Sequence, residues 1–162
     1  MSKQEFKLSP IGTVRAGRDG FRLEIKKEYQ PALKGLDGFS YVNVLWWCHL
    51  LDGPEYRRTV ECDQPYKNSP AQMGIFATRS PVRPNPIALT AVAVLHIDHD
   101  RGVIHIPYID AEDGTPILDL KPYHPCADRV KDVAVPEWCR HWPQWVEDSA
   151  SFDWQAEFVN AR

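Results

Sequence analysis

IALTAVAVLHIDHDRGVIHIPY, residues 87–108, decides how the chain is to be read. Its first half alternates at period two. Ile87, Leu89, Ala91, Ala93, Leu95 and Ile97 fall on one face, and Thr90, Val92 and Val94 on the other. Successive side chains of a strand point to opposite faces, so apolar residues on both sides mark a strand covered twice. His99-Asp100-Arg101-Gly102 is a tight connection, and GVIHIPY (102–108) is apolar and β-branched again. Two such runs joined so closely form an antiparallel hairpin.

The same pattern extends in both directions. FRLEIKK (21–27) alternates as a half-buried strand, and SYVNVLWWCHL (40–50) is rich in β-branched and aromatic residues, as a buried strand is. TPILDLKPY (115–123) is a short strand ended by Pro122. Trp138, Trp142 and Trp145 fall at helical spacing, in a helix that Pro143 cuts short. SFDWQAEF (151–158) alternates once more and reads as a last strand, with Phe152, Trp154, Ala156 and Phe158 on one face. The 14 prolines argue against a helical bundle. The expected fold is mainly β, a small antiparallel β-barrel with one or two short helices, in a single domain over residues 1–162.

Composition narrows the function classes. The chain is 43% hydrophobic and 25% charged, ordinary for a globular protein. Residues 1–100 hold 13 basic and 11 acidic residues, residues 101–162 hold 6 and 11, and the total is −3. A general nucleic-acid binder is usually basic overall, so an RNA partner must be met by a local patch. No apolar run reaches membrane-spanning length and MSKQEFKLSPIG has no signal-peptide core, so a cytoplasmic protein with no membrane partner is expected. Cys48, Cys62, Cys126 and Cys139 make no C-x-x-C pair and read as free, mostly buried thiols. The six histidines form no H-x-x-x-H pair, and no metal site is expected. With no G-x-G, the chain has neither a Rossmann nor a P-loop fingerprint.

Three stretches carry possible chemistry. In WWCHL (46–50), His49 ends an apolar strand, either as a hydrogen-bonded rim histidine or as a site residue where barrels place ligands. In ATRSPVRPNPIALT (77–90), Arg79 and Arg83 sit on a segment stiffened by three prolines. A rigid backbone lowers the entropy lost in holding a charged fork, and arginine suits phosphate or carboxylate. In DAEDGTPILDLKPY (110–123), Asp110, Glu112 and Asp113 crowd carboxylates around a turn, where they could hold a hydroxyl-rich or cationic ligand or form a charged hairpin. Asp119 and Lys121 share a strand face and can pair.

Taken together, GIFATRSPVRPNPIALT (74–90) and DGTPILDLKPY (113–123) resemble the two signature segments of the TsaA-like, or TrmO-like, methyltransferase family. IGTVR (11–15) and LKGLDGFSYVNVLWWCH (33–49) are similar to its other two blocks, so the resemblance covers about residues 8–160. It implies a small antiparallel barrel that binds S-adenosylmethionine and forms homodimers with the cofactor site near the subunit interface. It also implies N6-methylation of threonylcarbamoyladenosine beside the tRNA anticodon. By the same resemblance, His49, Leu50, Arg79, Leu89, Ile109, Asp110, Ala111 and Glu112 are cofactor-binding, the segment 109–112 partly through its backbone. Asp119, Lys121, Tyr123 and Arg83 are expected on the catalytic, substrate side, with Asp119 or His49 accepting the proton.

The chain departs from many bacterial members in two ways. AGRDGFRLEIKKEYQPALKG (16–35) replaces an R-Q-P-G-like stretch after the first strand, and the second, tRNA-holding domain is expected to be absent. These departures and the acidic charge keep two alternatives in view. One is a methyltransferase for a small molecule or another nucleoside, the other a non-catalytic S-adenosylmethionine-binding module.

Overall fold

The computed structural model describes residues 6–160. Nine strands are present among them: β1 (Gly12–Gly17), β2 (Gly20–Ile25), β3 (Tyr41–Trp47), β4 (Glu61–Asp63), β5 (Gln72–Gly74), β6 (Ile87–Ala93), β7 (His96–Asp98), β8 (Val103–Ile106) and β9 (Pro116–Pro122). Two short α-helices follow, α1 (Pro125–Asp128) and α2 (Trp154–Glu157), and 3-10 segments of three to seven residues are distributed along the described chain. The chain divides into two compact units, Met1–Leu51 with Pro86–Arg129 and Asp52–Asn85 with Val130–Arg162.

The larger unit carries a seven-stranded sheet in the order β6-β3-β9-β1-β2-β8-β7, with neighbouring strands antiparallel throughout. The mainly β expectation therefore holds. The expected hairpin is β7–β8, with Ile97 opposite Ile104 and Asp98 opposite Val103. Its turn depends on Gly102, which has φ +65° and whose Cβ would run into the Gln30 side chain. The Asp98 carboxylate accepts from the Arg101 backbone N–H at 3.0 Å and braces the same turn.

The long strand expected over 87–98 is two strands at opposite edges of the sheet, separated by Val94 and Leu95 alone. Ala93 and His96 are three Cα steps apart, so this corner holds the two edges within about 11 Å. The break also changes which face is inside. Val92 and Ile97 are both buried although they are five positions apart, and an unbroken strand would place them on opposite faces. Ile87 and Leu89, expected inside, are exposed.

The core of this unit joins Val14, Leu23, Val42, Val44, Ile104 and Ile117 to Ile25, Val92, Ile97, Ile106 and Ile109. Ile104 lies between Leu23 and Ile97 in register and is fully buried. One irregularity shapes the end of the sheet: Leu45 pairs with Asp119 and Trp46 with Ile117, so the register skips Leu118.

The smaller unit holds the β4–β5 ribbon and a cluster of rings. Tyr66 stacks on Trp138 at 5.3 Å and meets Trp142 edge-on at 4.8 Å, and Trp154 packs on Trp142 and Phe158. The expected tryptophan helix is one 3-10 turn, Glu137–Cys139, and Trp145 is exposed. The expected last strand is not one. Val146–Ser151 is a 3-10 helix, and Asp153 caps α2 by accepting from the Ala156 N–H at 3.1 Å. Only Phe158 forms a β-bridge, to Tyr66. The alternation of rings there serves ring packing, not a ladder. Cys48 and Cys139 are buried, Cys62 is half-buried and Cys126 exposed, all four free.

Glu157 is the one acidic residue inside this cluster, at 4% exposure. Burial pushes its carboxyl up, but the His141 imidazole at 3.0 Å, the Trp142 indole and the charge of Lys67 together hold it below the usual carboxylate range. Its Oε1 and the Trp142 Nε1 are both buried, with no well-formed hydrogen bond to either.

Two outcomes follow for stability. Ile104→Ala should lower the unfolding free energy by about 2–5 kcal/mol in denaturant titration. A group with a lowered folded-state pKa stabilises above its unfolded value, and that part is lost as pH falls through the folded one. Wild-type stability should therefore drop below about pH 4.5, and Glu157→Gln should remove that part of the acid limb while lowering stability at pH 7.

Candidate functional site

Within the larger unit, one end of the sheet holds His49 and Leu50, which follow directly after β3. Trp47 pairs with Ile87, and Trp46 with Ile117, so the end of β3 and the starts of β6 and β9 coincide there. The chain leaves β3 into a 3-10 turn, His49–Leu51. That turn is tied down by the Cys48 N–H donating to Pro86 O at 2.8 Å and the Leu51 N–H donating to Cys48 O at 3.0 Å.

His49 meets the segment before β9. Its Nδ1 lies 3.4 Å from Thr115 Oγ1, and Thr115 is 1% exposed. The Thr115 carbonyl accepts from Val14 N–H at 2.8 Å, and Gly114 N–H donates to Val14 O at 2.9 Å. The DGTP turn is thus locked to β1 by backbone bonds, and its hydroxyl is presented to the histidine. Thr115 was not singled out in the sequence, where this turn reads as plain. The signal was present: a β-branched hydroxyl between Gly114 and Pro116, where a solvent turn needs none.

The 109–112 segment divides its work. Ile109 is buried in the core, so it can offer a ligand only its backbone. Asp110 and Glu112 are exposed. Tyr108 is half-exposed or more, and burial of part of its ring, followed by the Asp110 charge, pushes its phenol up. Asp113 is not part of a free carboxylate cluster: it accepts from the Ala16 N–H at 3.1 Å and lies 3.9 Å from Arg15. Leu50 is exposed, as is Leu89 at 46%.

Leu89, Leu45 and Asp119 form one row across β6, β3 and β9 on the outer face of the sheet. The expected pair forms there: Lys121 Nζ is 2.8 Å from Asp119, whose hydrogen bond and charge raise the lysine's pKa. Lys121 lies opposite Asn43, and Tyr123 tilts against Tyr41 at 6.3 Å.

Within the smaller unit, the proline segment is a built loop. Ile75–Ala77 is a 3-10 turn closed by Thr78, whose N–H and hydroxyl both donate to Ile75 O, at 3.1 and 2.8 Å. Arg83 Nη1 donates to Thr78 O at 3.3 Å and Ser80 O at 3.4 Å, so part of its fork is held by its own loop. Arg79 is exposed. Two residues not singled out in the sequence brace this loop. Arg57 donates to Pro84 O at 3.0 Å and to Asn85 Oδ1 at 3.4 Å. Burial raises the Tyr66 phenol, against the lowering effect of the Arg79 backbone and charge, which places the ring's hydroxyl end beside Arg79. Neither pairing has a sequence signal, because both link residues more than a dozen positions apart.

Among the described residues, no three His, Cys, Asp or Glu are placed to hold a metal. No described helix is long and apolar enough to cross a membrane.

The comparisons with known proteins follow the same segments. A family model described as the tRNA-methyltransferase O N-terminal domain matches residues 3–129. The chain belongs to that family. A probable S-adenosyl-L-methionine-binding protein of Pyrococcus horikoshii is 39% identical over 122 residues, 75% of this chain and 85% of the relative. The tRNA (adenine(37)-N6)-methyltransferase of Escherichia coli is 33% identical over 126 residues, 76% of this chain and 53% of the enzyme. The crystal structure of TrmO from Pseudomonas aeruginosa matches with a TM-score of 0.62 at 30% identity, over 81% of this chain and 61% of that one. The chain thus spans little more than half of these family members with a named activity or structure, and most of the archaeal relative.

Thr115→Val should leave the β1–β9 ladder intact while releasing the imidazole. In a two-dimensional NMR spectrum the His49 ring signals should shift and broaden, and those of His96 and His105 should not.

Proposed function

We propose that this protein is an S-adenosylmethionine-dependent methyltransferase acting on adenine N6 in tRNA, with threonylcarbamoyladenosine beside the anticodon as its base. The observation that carries the reading is the family match through the signature segments, with the E. coli relative named as a tRNA (adenine(37)-N6)-methyltransferase.

The residues present suit the cofactor. In the larger unit the exposed Asp110 and Glu112 can accept from ribose hydroxyls, the backbone of Ile109–Ala111 can meet a base edge, and Leu50 and Leu89 offer apolar contact. In the smaller unit Arg79 has the permanent charge and planar fork that a methionyl carboxylate requires. Bound S-adenosylmethionine supplies an electrophilic methyl group on sulfonium. Arg83, held by Thr78 and Ser80, suits the substrate's own carboxylate or a phosphate.

The acceptor nitrogen must lose a proton, and two groups can take it. Asp119 is already engaged by Lys121 at 2.8 Å, an ion pair it would have to give up to take the proton. His49 Nε2 accepts a proton when Nδ1–H donates to Thr115 Oγ1, a tautomer that the threonine hydroxyl can fix. We therefore assign the base to His49, with Asp119, Lys121 and Tyr123 shaping the substrate side. Alignment of nucleophile, methyl and sulfur supplies the remainder of the rate.

The same reading includes a sheet curled into a small barrel, supported by the two-residue link between its edge strands. It also includes a homodimer, supported by the outward-facing Ile87 and Leu89 on edge strand β6.

The test is tritium transfer from labelled S-adenosylmethionine into total tRNA, with nuclease digestion to identify the labelled nucleoside. Label in methylated threonylcarbamoyladenosine is expected, and its absence from a tRNA pool lacking prior methylation overturns the substrate. Arg79→Ala should weaken S-adenosylmethionine binding at least tenfold by titration calorimetry. Unchanged affinity rejects the role given to Arg79.

A further inference from the structure

Phe76 is 78% exposed on a turn that has no freedom to hide it. Its neighbours Ile75 and Thr78 are buried, and Thr78 closes the turn with two bonds to Ile75 O. The ring is therefore carried outward by a rigid backbone, where a flexible loop would let it fold back onto apolar surface. Beside it the Arg83 guanidinium carbon lies 5.9 Å from the ring centroid, itself fixed by Thr78 O and Ser80 O. The guanidinium stands over the ring as a cation–π contact and adds a permanent positive charge to an aromatic surface that is otherwise open to solvent.

Three further arginines belong to this loop and the turn that braces it. Arg57 is bound to Pro84 and Asn85 on the same loop, and Arg58 follows it in the same 3-10 turn, Tyr56–Arg58. Arg79 stands between Phe76 and Arg83 in sequence and is exposed. Aromatic rings and arginine planes interleaved with positive charge are how proteins hold unpaired bases of single-stranded RNA, since every base has a π-face and every linkage a phosphate.

We infer that Phe76 and Arg83 form a stacking platform for one unpaired nucleobase of the RNA substrate, with Arg58 toward a flanking phosphate. This rests on the tRNA reading above and adds to it a subsite that grips the strand. Phe76 touches no reacting atom in this assignment. It sets affinity for RNA, whereas the cofactor is held by other residues.

The experiment is fluorescence anisotropy with a labelled RNA hairpin carrying a seven-nucleotide loop, and with a fully paired duplex of the same length as control. It compares the wild-type chain with Phe76→Ala, Phe76→Leu and Phe76→Trp, alongside calorimetry with S-adenosylmethionine and sedimentation of each variant. Phe76→Ala should weaken hairpin binding about tenfold, Phe76→Leu nearly as much, and Phe76→Trp should keep it. Cofactor affinity and sedimentation mass should stay unchanged in all three. Hairpin affinity unchanged in Phe76→Ala, or restored by leucine, overturns the platform. So does a lower mass in Phe76→Ala, which would make a second copy of the chain the occupant. If the wild-type chain binds cofactor but no hairpin, the tRNA reading itself fails.

Discussion

The chain has two residues, Val94 and Leu95, in which to leave one edge of its seven-stranded sheet and begin the other. Everything in the larger unit is arranged around that constraint. Because the edges share a corner, the sheet must bend enough to bring β6 and β7 within about 11 Å of one another there. The inward face changes parity at the same point, which lets Val92 and Ile97 enter one core. The bend leaves the opposite end of β6, at Ile87, beside the end of β3 and the start of β9. His49 and Thr115 meet at that end.

The candidate site residues are held chiefly by backbone. Val14 exchanges hydrogen bonds with Gly114 and Thr115, and Cys48 bonds to Pro86. In the smaller unit Thr78 and Arg83 close the proline loop on itself, and Arg57 pins its far end. Such fixing lowers the conformational entropy a ligand must remove, and prolines at 81, 84 and 86 contribute by restricting the unbound chain. The charged side chains that reach solvent, Asp110, Glu112 and Arg79, stand on backbone that is already ordered.

Three of the structure's departures from the sequence reading have a traceable cause. The 87–98 run looked continuous because its alternation is unbroken by glycine or proline; only packing on two different neighbours, β3 and β8, divides it. The 151–158 run alternates aromatics as a strand does, yet Asp153 caps a helical turn and the rings pack on Tyr66 and Trp142. Asp113 seemed one of three ligand carboxylates, but the Ala16 N–H and Arg15, both remote in sequence, engage it. The Asp119–Lys121 pair, by contrast, was legible, because two residues apart on one strand face is a local relation.

The sequence by itself determined the chemical inventory: antiparallel β elements set by period-two apolar runs, a proline-stiffened loop with two arginines, and a histidine at a strand end. These follow from relations within about ten residues, where backbone geometry leaves few choices. Only the tertiary structure decided which side chains meet. Thr115 reaches His49 across 66 positions, Arg57 braces Asn85 across 28, and Asp113 turns to Ala16 across 97. Such partners are chosen by how the sheet bends and which strands pair, and no local pattern carries that information.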